Sequence, residues 1–151
     1  MPARGLKEAR QRTREVFKLV GEKASRTMVE VLIAGRSYTL MLTPIDSSTL
    51  VNSAFIDVRT RKNGVSGRFG FTAAYAAAVH GMPGTLKGQP RGDFGRTGNQ
   101  SDVGPQMPRS FGGGTGNGNY WDPDAEPEFV RKGFEDNRRQ LDAVVQRGMK
   151  I

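Results

Sequence analysis

Between residues 81 and 127 the chain carries 12 glycines and six prolines in 47 positions. This stretch constrains everything around it. Glycine gives up more conformational freedom on ordering than any other residue, and proline cannot donate to a helix or a sheet ladder. No regular element is expected there, so a core must be built from residues 1–80 and from the segment after 127. A loop this long inside a compact domain is unusual and generally functional or disordered. It carries Phe94, Met107, Phe111, Tyr120 and Trp121, more apolar anchors than a passive linker needs. The segment is expected to be a long loop or arm with those five residues as subunit contacts, and Arg91, Arg96 and Arg109 pairing across them. For Tyr120 and Trp121 tethering of the loop within its own chain is the alternative, and for the segment as a whole a surface insertion without a partner.

Upstream, Leu6, Ala9, Thr13, Val16, Phe17 and Val20 recur at helical spacing and predict an amphipathic helix over residues 4–20. Gly21 is expected to break or kink it. Ala24, Met28, Val31, Gly35, Tyr38 and Leu42 then recur at steps of four and three, predicting a second helix that runs towards Pro44. A hairpin about Gly35 competes with it, because Val29–Ile33 and Ser37–Leu40 are β-prone. Pro44 fixes its own φ and pushes Thr43 out of the helical region, so the helix must end there. Asp46 is then expected to accept backbone N–H bonds and start a short turn ending at Leu50.

The formal net charge is +8. Residues 1–26 hold eight basic residues against Glu8, Glu15 and Glu22, a net +5, and Arg4, Lys7, Arg10, Arg14 and Lys18 are the candidate basic face. Such a face suits nucleic acid, an acidic partner or an acidic pore wall. A solvated face laced by i,i+4 pairs such as Glu8–Arg12 and Glu22–Arg26 is the competing reading.

Residues 54–72 carry the clearest strand signal. Asn63-Gly64 favours a two-residue turn in which both positions need positive φ. Folding about it pairs Val58 with Phe69 and Ile56 with Phe71, placing these four on one face and Asp57, Arg59 and Arg68 on the other. Residues 73–80 read as an alanine-rich turn of helix closed by Gly81. Val130, Phe134, Asn137, Leu141, Val144 and Gly148 predict a last helix over residues 127–148, with Pro127 and Glu128 in its first turn. These elements suit a single domain of α+β class, in which long N- and C-terminal helices pack with a small antiparallel hairpin.

Several chemistries lack the residues they need. The chain has no cysteine, so it has neither disulfides nor a thiolate metal site. His80 is its only histidine and is expected to pack or hydrogen-bond. The acidic run Asp122, Asp124, Glu126 and Glu128 lacks the glycine-centred loop of a calcium-binding hand. The glycine runs lack the Gly-Lys-Ser/Thr of a phosphate loop. No apolar run approaches the roughly 18 residues of a membrane span, nor is a signal peptide expected. No catalytic, cofactor-binding or metal-ligating residue is assigned, and the chain is expected not to be an enzyme.

Three motifs in order are more informative. Thr43, Pro44, Asp46, Leu50 and Ser53 stand in the spacing Thr-Pro-hydrophobic-Asp, Leu, Ser before the hairpin. Tyr75, Ala76, Val79, His80 and Gly81 follow it, and Pro127, Phe129 and Val130 open the last helix. In this order the chain resembles the neck and tail-completion (head–tail joining, minor tail) proteins of long-tailed bacteriophages. Ser47-Ser48 replaces the usual Thr-Gly of that family, and the 81–127 segment is longer than is usual. The resemblance implies a structural virion protein at the head–tail junction, assembled in the host cytoplasm. It implies a homo-oligomeric ring of six or twelve copies around the DNA channel, with neighbouring neck, portal-adaptor and tail proteins as partners and packaged DNA passing through non-specifically. The alternative from a different class is a small basic nucleic-acid-binding protein that uses residues 1–26.

Overall fold

The computed structural model describes residues 3–45, 48–61, 64–85, 122 and 124–150. Its frame is one helix, α1 (Ala3–Leu42), of 40 residues and so about 60 Å long. The expected break at Gly21 does not occur. A Cβ at Gly21 would meet nothing within 4 Å, so no packing demands a bend there, and a lone glycine costs only about 1 kcal/mol of helix propensity. The helix also runs through residues 28–42, where a hairpin was the competing reading.

Three hydroxyls on the packed half of α1 turn back on their own helix or seat against a neighbour. Thr27 and Thr43 donate to the carbonyls of Lys23 and Thr39 at 2.9 and 2.8 Å. Thr39 is fully buried, and its hydroxyl has no hydrogen-bond partner. α1 stops where Pro44 requires it to. A short helix, α2 (Thr49–Asn52), follows, entered through left-handed Ser48 (φ 60°). The turn thus reaches two residues beyond its expected end at Leu50, which is buried inside it. Asp46 lies outside the described residues.

Strands β1 (Ala54–Arg61) and β2 (Gly64–Phe71) form a two-stranded antiparallel sheet. Its register differs from the expected one by two residues: Val58 faces Gly67, Ile56 faces Phe69 and Ala54 faces Phe71. A two-residue shift leaves every side chain on its expected face, so alternation alone could not detect it. Cross-strand chemistry decides between the two pairings. The expected register would have set Arg59 opposite Arg68, like charges that repel. The observed one sets Asp57 opposite Arg68, with their ion pair at 3.1 Å. It also sets Gly70 opposite Phe55, whose ring covers it. On the other face, a Cβ on Gly67 would lie 2.6 Å from Met28 Sδ and 2.8 Å from Leu32 Cδ1, so the sheet meets α1 at its barest point.

The chain continues through α3 (Ala76–His80), closed by Gly81. The expected last helix is two pieces, α4 (Phe129–Glu135) and α5 (Arg138–Met149), and Pro127 and Glu128 precede it. Glu128 is left-handed (φ 55°), which turns the chain into α4. Both pieces pack antiparallel along α1 through bare positions. Gly133 sits against Thr39, Gly148 against Thr27, and Gly35 of α1 against the ring of Phe134. Thr27 and Thr39 are separated by about 18 Å of helix, whereas Gly133 and Gly148 would be separated by about 22 Å in an unbroken one. The helix is interrupted between them at Asp136-Asn137, where Asn137 Nδ2 donates to the Gly133 carbonyl at 3.1 Å.

Among the described residues, Phe129 is the largest fully buried side chain, joined in the core by Leu32, Leu50, Ala125 and Leu141. Around Phe129 an aromatic chain runs from the His80 ring (5.0 Å) through Phe71 (5.5 Å) and Phe69 to Phe134. Edge-on contacts of this kind add to simple burial.

Candidate assembly interface

The first half of α1 is an arm. Every residue from 5 to 20 is exposed, a run of about 24 Å. Its apolar stripe is left uncovered: Leu6 and Val16 are each 58% exposed, and Phe17 is 71% exposed. The packed half of α1 buries the same helical face against the sheet and the C-terminal helices. The stripe therefore continues the core face past the point where the described residues cover it. Lys7, Arg10, Arg14 and Lys18 are also exposed on the arm, and the Arg4 side chain lies outside the described residues. Neither Glu8–Arg12 nor Glu22–Arg26 is among the ion pairs of the described residues. The arm instead has a Gln11–Glu15 hydrogen bond at 3.1 Å.

Where the arm meets the hairpin tip there is a groove of about 880 Å³. Phe17, Val20 and Ala24 form its helical wall, and Thr60, Arg61, Gly64 and Val65 its strand wall, with Lys18 and Arg26 at its margin. Ser25 and Thr60 share a hydroxyl hydrogen bond of 2.9 Å that ties the two walls together. Sequence reasoning missed the strand wall. Arg61 and Val65 fall on opposite faces of a ribbon, and only the line of α1 shows which end of the ribbon borders the arm.

The three sequence motifs converge on the body of the fold. Thr43 and Pro44 are buried at the end of α1, and Ser53 donates its N–H to the Thr49 and Leu50 carbonyls and its hydroxyl to Leu50 at 2.7 Å. Val79 and Pro127 are half-buried, while Tyr75 is exposed. The second and third motifs meet directly: the His80 ring stands edge-on to Phe129, and the His80 carbonyl accepts the Glu128 N–H at 2.9 Å. Phe94, Met107, Phe111, Tyr120 and Trp121, the expected subunit contacts, lie outside the described residues.

The acidic run has structural partners. Asp122 is buried; its carboxylate accepts the Ile45 N–H at 2.9 Å and the Asp124 N–H at 3.0 Å. The Glu126 N–H donates to the Leu42 carbonyl at 2.9 Å. This short segment thus closes the C-terminal end of α1, where carbonyls lack helical partners. The signal that could have found it is the Asp-Pro-Asp turn chemistry, in which the first Asp accepts the N–H two residues on. Glu126 pairs with Lys132 at 3.0 Å, and Glu128 pairs with Arg131. The Arg131 guanidinium, by hydrogen bond first and by charge second, holds the Glu128 carboxyl below its ordinary range. Among the described residues no group of three acidic or histidine side chains could hold a metal ion, and no helix is long and apolar enough to cross a membrane.

No family model, curated protein or solved structure matches this chain.

Proposed function

We propose that this protein is a structural subunit of a tailed-bacteriophage virion, a ring-forming neck or tail-completion protein that joins the portal complex to the tail. The observation that carries the reading is the uncovered apolar stripe of the arm. A helix that leaves Leu6, Val16, Phe17 and Val20 in water along one face has a face made for another chain. A core with a projecting arm is what a subunit completed by its neighbours needs, and head-to-tail contacts that close on themselves give a ring. The motif order supports the choice among assembly proteins, since residues from motifs separated by the glycine-rich segment pack together at His80 and Phe129. The role calls for no catalytic step.

Native mass measurement of the purified chain, with electron microscopy of the same sample, tests this. The expected result is a closed ring of six or twelve copies, alone or with an adjoining neck protein. A chain that stays monomeric at high concentration and is absent from purified virions would overturn it.

A further inference from the structure

We infer that the inner corner between the arm and the hairpin tip binds the phosphate backbone of duplex DNA, without sequence preference. Lys7, Arg10, Arg14 and Lys18 recur at steps of three and four, which sets them in one row on α1. The row is about 16 Å long. At its lower end Lys18 lines the groove together with Arg61 of β1, so a second element adds a cation where the row ends. All five residues are exposed, and none of them is in an ion pair among the described residues. Some cations elsewhere are paired: Arg59 and Arg68 with Asp57, Arg131 with Glu128 and Glu135, and Lys132 with Glu126. Arg12, Arg26, Arg36 and Arg139 are, like the row, in no ion pair among the described residues. What sets the row apart is its alignment and the addition of Arg61 at its end.

The separation of faces favours a purely polar polyanion over an acidic amphipathic peptide. At 3.6 residues per turn the row lies about a third of a turn from the apolar stripe. A peptide bound through both would have to wrap the helix, whereas a duplex can rest on the row and leave the stripe to a protein neighbour. Glu8 and Glu15 fall about a quarter to a third of a turn from the centre of the row, although Glu15, three residues before Lys18, borders its lower end. Glu22 is the one carboxylate that lines the groove. Phosphates along a rigid duplex match a straight row of long cationic side chains, and binding of this kind releases counterions.

The inference does not rest on the ring reading. A chain that assembles without binding DNA would sink it and leave the proposed function standing; a monomer that binds DNA would do the reverse. The test is fluorescence anisotropy of the purified full chain with a labelled mixed-sequence duplex of about 20 base pairs, over a series of salt concentrations. Affinity is expected to be independent of sequence and to fall with salt at a log–log slope of about −4.5, as five neutralised phosphates require. Arg14→Glu/Arg61→Glu should weaken binding at least about tenfold at low salt, while Arg12→Glu/Arg139→Glu, with the same change in net charge on other faces, should cost about threefold or less. The neutral pair Arg14→Gln/Arg61→Gln repeats the comparison without added negative charge. Equal losses in the two charge-reversed variants, a slope shallower than about −2, or tighter binding of labelled polyglutamate than of duplex would each overturn the inference.

Discussion

Gly133 lies against Thr39 so closely that a Cβ on the glycine would stand 2.7 Å from Thr39 Cα and 2.8 Å from its backbone nitrogen. The obstacle is backbone, which cannot swing aside. The same seam runs to Gly148 against Thr27, so α1 and the C-terminal helices touch along bare positions at both ends.

Gly133→Ala is therefore expected to destabilise the fold by about 2–3 kcal/mol, the upper part of the overpacking range. Gly21→Ala should do the opposite. Its Cβ would enter open space in a continuous helix, and the gain is about 0.5–1 kcal/mol. Denaturant melts of the two variants beside the parent check both signs.

Phe129 joins the sheet, α3 and the C-terminal helices through its contacts with Phe71 and His80. Phe129→Ala should cost about 3–5 kcal/mol, since its site is fully enclosed. A loss below about 1 kcal/mol would mean that the aromatic cluster is not the centre of the core.

The hairpin register has a direct readout. Cross-strand backbone contacts in nuclear magnetic resonance spectra should join Asp57 to Arg68 and Ile56 to Phe69. A double-mutant cycle on Asp57→Ala and Arg68→Ala should return a coupling of about 0.2–1 kcal/mol, as expected of a partly exposed cross-strand charge pair. Contacts between Asp57 and Gly70 instead would establish the other pairing.

The arm separates folding from assembly. Phe17→Ser should leave the stability of the single chain within about 0.5 kcal/mol of the parent, because the side chain packs on little of its own fold. In the assembled protein the same change should shift the mass distribution towards smaller species. Unchanged assembly would remove the stripe from the interface.

The Glu128–Arg131 pair gives a pH dependence of known sign. A carboxyl whose folded-state pKa is lowered binds fewer protons folded than unfolded, so its contribution is present above the unfolded-state pKa. It is lost as the pH falls through the lower folded-state value. Glu128→Gln should be less stable than the parent at neutral pH, and the gap should close in acid below the ordinary glutamate range. Thermal melts of both proteins across that window check it.

Local chemistry carried much of this molecule. The apolar period along residues 24–42 favoured a helix over the competing hairpin about Gly35, Pro44 required its end, and alternation over 54–71 pointed to a ribbon with Ile56, Val58, Phe69 and Phe71 on one face. These are short-range demands, written in neighbouring residues. What depended on distant partners was settled only in three dimensions. The ribbon slid two residues because Asp57 and Arg68 attract where Arg59 and Arg68 would repel, a choice invisible to a period of two. The last helix is divided at Asp136-Asn137, with Gly133 and Gly148 on either side both seated against α1, and no helical pattern records the spacing of its partner. Gly21 leaves α1 unbroken, because a Cβ there would enter open space. The arm before it keeps an apolar stripe that the described residues do not cover: periodicity marks a face for burial, and only the tertiary structure shows what is packed against it.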